Sequence, residues 1–108
     1  MPLDLPRPIA EYFAAEKARD ALALAQCFVD DGVVRDEGRT FRGTNAIRDW
    51  NAAARKKYQH TVEPLSVIQR DGATIVAGKV AGDFPGSPVT LDHVFRLEGD
   101  KISSLEIR

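Results

Sequence analysis

The feature that most restricts what this chain can become is the period-two alternation that dominates everything after Gln59. The runs "HTVEPLSVIQR" and "ATIVAGKVAG" flank Asp71-Gly72, and "VTLDHVFRLE" and "KISSLEI" meet at Gly99-Asp100. Alternation sends successive side chains to opposite faces of a strand, and Asp-Gly is a strong signal for a tight hairpin. The second half is therefore predicted to be long antiparallel strands, with "DFPGSP" as a turn-rich connection.

The first half follows helical spacing. Pro2, Pro6 and Pro8 mark an N-terminal arm over residues 1–7, and from Pro8 onward Ile9, Tyr12 and Phe13 share one helical face. Asp20 is placed to cap a second helix, "ALALAQCF", which "DDG" at Asp30 to Gly32 should end. "VVRDE" and "RTFRG" read as short strands about a turn at Gly38. Thr44 is the expected cap of a third helix carrying Ile47, Trp50, Ala54 and Tyr58.

Three helices followed by such strands make an α+β domain with a strongly curved mixed or antiparallel sheet. At 108 residues the chain is the length of one domain. Its strands must curl around the helices to cover their apolar faces, which leaves a pocket between the layers. Alternating apolar residues on the outer sheet face point to a homodimer.

Charge excludes several roles. The 15 Lys and Arg are dispersed among 16 Asp and Glu, for a net charge of −1, which argues against nucleic acid or an anionic membrane as a partner. "RKK" at Arg55 to Lys57 is read as a solvated helix end. There is no apolar run of membrane-spanning length and no signal-peptide core, so a cytoplasmic location is the default expectation. The single Cys27 lies among core-like residues and is expected to be an inert thiol. Two histidines without ligand spacing predict no metal site, and the lack of a phosphate loop or flavin signature predicts no cofactor.

The chemistry-bearing candidates are few. Asp36 follows Val34 on one strand face, and a carboxylate facing an apolar pocket is moved toward a useful general base by desolvation. The alternative is an ion pair with Arg39 or Arg42 beside the turn. Asp92 and His93 stand side by side, so only one can face inward. Val89, Leu91, His93, Phe95 and Leu97 form the more apolar face, which places His93 toward the cavity, where it can share the proton with Asp36 or donate to a developing enolate. Tyr12 is either a core aromatic or a hydroxyl donor. Phe13 and Trp50 are packing residues able to line the pocket wall. Tyr58 and His60 belong to a helix-to-strand junction that can close the cavity, and Phe84 is a candidate for its rim.

The order of elements resembles the nuclear transport factor 2-like superfamily, more closely its SnoaL-like and ketosteroid isomerase-like branch. The stretches that carry the resemblance are "IAEYFAAEKARDALALAQCF", "VDDGVVRDEGRTFRGTNAIRDW" and "FRLEGDKISSLEI". It implies a cone-shaped α+β fold. In ketosteroid isomerases a Tyr on the first helix and a protonated Asp on a late strand donate to the substrate oxygen, while an Asp on the first strand shuttles the proton. Tyr12 and Asp36 fall at the first and last of these positions; anchored on "FRL", the remaining donor position falls on His93 rather than Asp92.

The resulting expectation is a homodimer with a largely apolar pocket for a small cyclic or carbonyl-bearing ligand. Its reaction would be proton abstraction next to a carbonyl, in an isomerisation, cyclisation or dehydration. Asp36 is the base, and His93 and Tyr12 polarise the carbonyl. The alternative is a non-catalytic ligand-binding or interaction module of the same fold, whose pocket polar groups are tied up internally.

Overall fold

The computed structural model describes residues 3–108, so Met1 and Pro2 of the expected arm lie outside the described residues. Helix α1 runs from Arg7 to Ala18 with proline in its first turn, and it ends at Arg19 in the left-handed conformation. Proline suits that first turn because its missing N–H would have had no partner there. Helix α2, Ala21–Ala25, is capped as expected: Asp20 accepts from the Ala23 N–H at 3.0 Å. Helix α3 spans Thr44–Tyr58, but its N-cap is Gly43 at φ 92°, and no side chain caps it. Thr44 is thus the first helical residue, not the cap.

Six strands follow the chain as β1 (Phe28–Asp36), β2 (Arg39–Arg42), β3 (Thr61–Arg70), β4 (Ala73–Ala81), β5 (Val89–Glu98) and β6 (Lys101–Ile107). They form one sheet in the order β2-β1-β6-β5-β4-β3. β1 pairs with β6 in parallel, and every other pairing is antiparallel. The last four strands are the meander legible in the sequence. Their turns behave as the sequence requires, with Asp71 at φ 53° and Gly72 at φ 77°.

Two sequence expectations need correction here. "DDG" does not end α2; it lies inside β1, which begins at Phe28. The physical counterpart of the turn signal is a register shift between Phe28 and Val33, where the strand bulges away from β6. Leu97 is 37 % exposed, so the inward face of β5 ends at Phe95. A second register shift, between Arg96 and Leu97, separates Leu97 from that face.

The sheet curls over the helices, and the core lies between them. Ile9, Leu24, Val34, Ile47, Val76, Phe95, Ile102 and Leu105 are essentially inaccessible. Tyr12 sits at the centre of an edge-to-face aromatic cluster, with ring centroids 5.1 Å from Phe13 and 5.3 Å from Phe95. Burying a large apolar side chain contributes roughly 1.5–3 kcal/mol, so this cluster is a main anchor of α1 on the sheet. Cys27 is buried and unpaired, donating weakly to the Ala23 carbonyl, and burial pushes its thiol up. No helix among the described residues is long and apolar enough to cross a membrane.

Candidate active site

The curl of the sheet leaves a cavity of about 310 Å³ between α1, α3 and the inner faces of β3 to β6. One wall is apolar, built from Val62, Val80, Val89, Leu91 and Ile107. Inward alternation along four neighbouring strands supplies that wall. The opposite side is polar and comes from α1, α3, β1 and the junction between α3 and β3: Tyr12, Glu16, Asp36, Trp50, Asn51 and His60. Phe84 and Pro85, from the connection between β4 and β5, join Tyr58 at the rim, where Phe84 meets Tyr58 edge-on at 5.8 Å. A second hollow of about 350 Å³ adjoins the first and shares Asp36, Trp50 and Tyr58 with it.

Asp36 ends β1 and lines the cavity half-buried. It is opposite Arg39 in the hairpin register, yet it pairs with neither Arg39 nor Arg42 among the described residues. Its side-chain partner is Trp50, whose indole N–H donates to Oδ2 at 3.0 Å. Burial raises the carboxyl above its ordinary value, and the Trp50 hydrogen bond only partly opposes this. The carboxylate therefore faces the apolar wall across the cavity, with the neutral Trp50 indole as its side-chain donor.

His93 faces inward at 2 % exposure, whereas Asp92 is exposed on the other face and pairs through its backbone with Arg108. Strand periodicity resolves the adjacent pair as expected. Burial pushes the His93 pKa down, so the ring is neutral at physiological pH. Its Nδ1 lies 3.2 Å from the Leu91 carbonyl oxygen. An oxygen acceptor there requires the proton on Nδ1, so this donor is already occupied. Tyr12 is buried, lines the same cavity, and makes no side-chain hydrogen bond among the described residues. Its hydroxyl is pushed well above the usual phenol value, first by burial and then by the negative charges of Glu16 and Asp36. It remains a protonated donor across the accessible pH range.

Of the expected wall residues, Trp50, Tyr58 and Phe84 line the cavity, but Phe13 does not. Phe13 packs behind His93 at 5.6 Å and belongs to the core cluster. On α1 it is Tyr12 and Glu16, one turn apart, that face the hollow, and Phe13, rotated by about 100° from Tyr12, faces the core. Tyr58 also donates to Glu37 at 3.2 Å, closing the rim over the β1–β2 turn.

Sequence reasoning missed the most polar part of the site. Glu16 is 6 %, Asn51 1 % and Arg55 8 % exposed. Asn51 donates to Glu16 Oε2 at 3.0 Å, His60 Nε2 donates to Oε1 at 3.0 Å, and Arg55 Nη2 lies 3.5 Å from Oε1. Arg55 also donates to Asn51 Oδ1 at 2.6 Å. Arg55 is thus not part of a solvated basic end; Lys56 and Lys57 are exposed, but Arg55 turns inward. The signal was present in the spacing. Glu16 follows Tyr12 by four, and Asn51 and Arg55 follow Ile47 by four and eight, so all three continue buried stripes.

Two glycines admit this arrangement. A Cβ at Gly78 would stand 2.8 Å from His93 Cε1, and one at Gly82 would stand 2.9 Å from His60 Cα. Gly78→Ala is expected to cost about 1–3 kcal/mol through overpacking. Urea denaturation checks this, and unchanged stability would mean that the buried imidazole moves freely. No group of three or more His, Cys, Asp or Glu side chains among the described residues is placed to hold a metal ion.

The family model described as a SnoaL-like domain matches residues 9–105. A comparison with curated proteins returned no match. Among solved structures, a protein from Sinorhizobium meliloti provisionally named a polyketide cyclase is 41 % identical with a TM-score of 0.93, over 97 % of this chain and 96 % of that one. A protein of ketosteroid isomerase-like fold from Catenulispora acidiphila, in complex with trimethylamine, is 21 % identical with a TM-score of 0.82. That alignment covers 95 % of this chain and 85 % of that one. TerC, co-crystallised with polyporic acid, is 18 % identical with a TM-score of 0.76, over 94 % and 87 % of the two chains. The last two show the shared fold.

Proposed function

Because the chain belongs to the SnoaL-like domain family, we propose that its cavity binds a small cyclic carbonyl compound and that Asp36 removes a proton from the carbon next to the carbonyl. The observation that carries this is Asp36 itself: a carboxylate presented to an apolar cavity, raised by burial, and paired with Trp50 instead of an arginine. A general base is most effective when its pKa is moved toward the working pH, and desolvation acts in that direction. Tyr12 is the donor to the carbonyl oxygen, since its hydroxyl is protonated and unpartnered. The polarising role expected of His93 passes mainly to Tyr12, because Nδ1 of His93 is occupied by Leu91. His93 contributes the neutral wall beside it. That one solved neighbour was co-crystallised with polyporic acid and another is provisionally named a polyketide cyclase supports a ligand of this kind.

The test is hydrogen–deuterium exchange at the α-carbon of cyclohexanone in D₂O, followed by NMR. The protein should accelerate exchange above buffer, and Asp36→Asn should remove the acceleration. Binding of the ketone without any exchange by the parent protein would instead make this a ligand-binding module of the same fold.

Assembly as a homodimer through the outer sheet face is part of the proposal. Leu65 and Ile68, on the edge strand β3, are 47 % and 48 % exposed, which a partner surface would cover. Sedimentation at micromolar concentration should give the mass of two chains, and Ile68→Lys should shift it toward one. A single-chain mass for the parent protein excludes the dimer.

A further inference from the structure

The proton abstraction proposed for Asp36 needs one carboxylate and one donor, and it leaves the Glu16, Asn51, Arg55 and His60 cluster without a task. Buried charge is costly, and buried polar atoms are almost always hydrogen-bonded. Here the Glu16 carboxylate is pinned by three side chains. Its partner His60 lines the cavity, with a side chain only 12 % exposed. Its Nε2 bonds to Glu16, while its Nδ1 is buried with no partner.

That is the arrangement of an oriented acid–base group. A carboxylate fixes one ring nitrogen as the N–H donor, which defines the tautomer and aims the opposite nitrogen. With Nε2–H directed to Glu16, Nδ1 of the neutral ring is a bare acceptor. The protonated ring, with Glu16 as counter-ion, is a donor at the same atom. In both states the atom lacks a protein partner, and a ligand hydroxyl supplies one. Asn51 and Arg55 hold Glu16 in place and are positioning residues, as is Glu16. Gly82 lets the β4–β5 connection approach close to His60, and the Asp83 N–H bonds to the Tyr58 carbonyl at 2.6 Å beside it, which fixes the junction carrying the imidazole.

We propose that His60 is a second proton-transfer group in the same cavity as Asp36, and that the two together serve a β-hydroxy carbonyl compound. This rests on the role proposed for Asp36 and narrows it. Moving a double bond with one shuttling carboxylate requires no second acid. Loss of water from a β-hydroxy ketone does. Asp36 takes the α-proton, and the electron pair of the broken C–H bond forms the new C=C bond. The β C–O bond breaks, and its oxygen leaves as water with the proton given by His60 Nδ1. The products are an enone and one water. Asp36 then returns its proton to solvent and His60 regains one, so no other reactant is needed.

The experiment uses two probes on the whole protein, cyclohexanone for α-exchange by NMR and 3-hydroxycyclohexanone for elimination, read by the ultraviolet absorbance of the enone. The parent protein should accelerate both. His60→Gln, which retains a polar side chain of similar size, should lower the ratio of elimination to exchange by about a hundredfold. Asp36→Asn should lose both. Exchange without elimination by the parent protein, or an unchanged ratio in His60→Gln, overturns the role of His60. Absence of exchange overturns the role of Asp36 instead.

Nitrogen-15 spectra of the histidines give a readout independent of turnover. The parent protein should show His60 as the Nε2–H tautomer, and Nδ1 should shift with 3-hydroxycyclohexanone but not with cyclohexanone. Glu16→Gln should let the Nδ1–H tautomer appear. No hydroxyl-dependent shift, or a tautomer indifferent to Glu16, overturns the proposal.

Discussion

Asp36→Asn is expected to reduce α-proton exchange by roughly 10²- to 10⁴-fold, the contribution of a positioned general base, while leaving the protein at least as stable as its parent at neutral pH. The two halves of this expectation have one cause. Burial raises the folded-state pKa of Asp36 above its unfolded value. The carboxyl therefore favours the folded state most when it is protonated, below the unfolded pKa. That contribution is lost as pH rises from the unfolded pKa through the folded one. At pH 7 the parent protein carries an ionised group in a poorly solvating place. Asparagine has the same shape and still accepts from the Trp50 indole, which donates at 3.0 Å in the parent. The desolvation penalty disappears and the hydrogen bond stays. A purely structural Asp36 predicts the opposite, namely a loss of stability with no activity to lose. Exchange kinetics and urea denaturation of the same two proteins separate these outcomes.

Glu16→Ala is expected to be the most destabilising single change in the site, at about 3–5 kcal/mol, the usual cost of removing one partner from a buried charged cluster. The penalty comes less from lost attraction than from what remains. Arg55 keeps a buried guanidinium, His60 loses the acceptor of Nε2, and Asn51 loses the acceptor of its amide. Glu16→Gln should cost less, because its amide oxygen still accepts from one of these donors. The pH dependence has a definite sign. Burial alone would raise the Glu16 carboxyl, but the His60 hydrogen bond, the charges of His60 and Arg55, and the Asn51 bond outweigh it, so the folded-state value lies below the ordinary one. Stability from this group is therefore complete above the unfolded pKa and declines as pH falls through the folded pKa. The parent protein should lose stability on acidification below about pH 4.5 more steeply than Glu16→Gln. Thermal melts across pH 3 to 7 check this, and parallel curves would mean that the cluster carries little net stabilisation.

Both predictions concern residues that the chain announces unequally. Asp36 was legible because it follows Val34 on one face of its strand, and a charge on an apolar face is a local anomaly. His93 was legible for the same reason, since period two leaves one choice for the inward member of the Asp92 and His93 pair. Glu16, Asn51 and Arg55 fall on the buried stripes of their helices, but nothing in the local sequence names the partner that each would need there. Only the meeting of α1 with α3 converts them into a buried cluster, through contacts 35 to 39 residues apart in sequence.

The sequence by itself determined the strands of the second half, their tight turns, the helical stripes and therefore the α+β class. Those are local matters of periodicity and turn chemistry, decided within a few residues. The tertiary structure alone decided three things: the parallel pairing of β1 with β6, the pairing of Asp36 with Trp50 in place of its hairpin neighbour Arg39, and the meeting of Arg55 with Glu16. Each depends on which distant surfaces are brought together as the sheet curls over the helices. Which distant partner a buried charge finds is settled by that closure, and no local pattern encodes it.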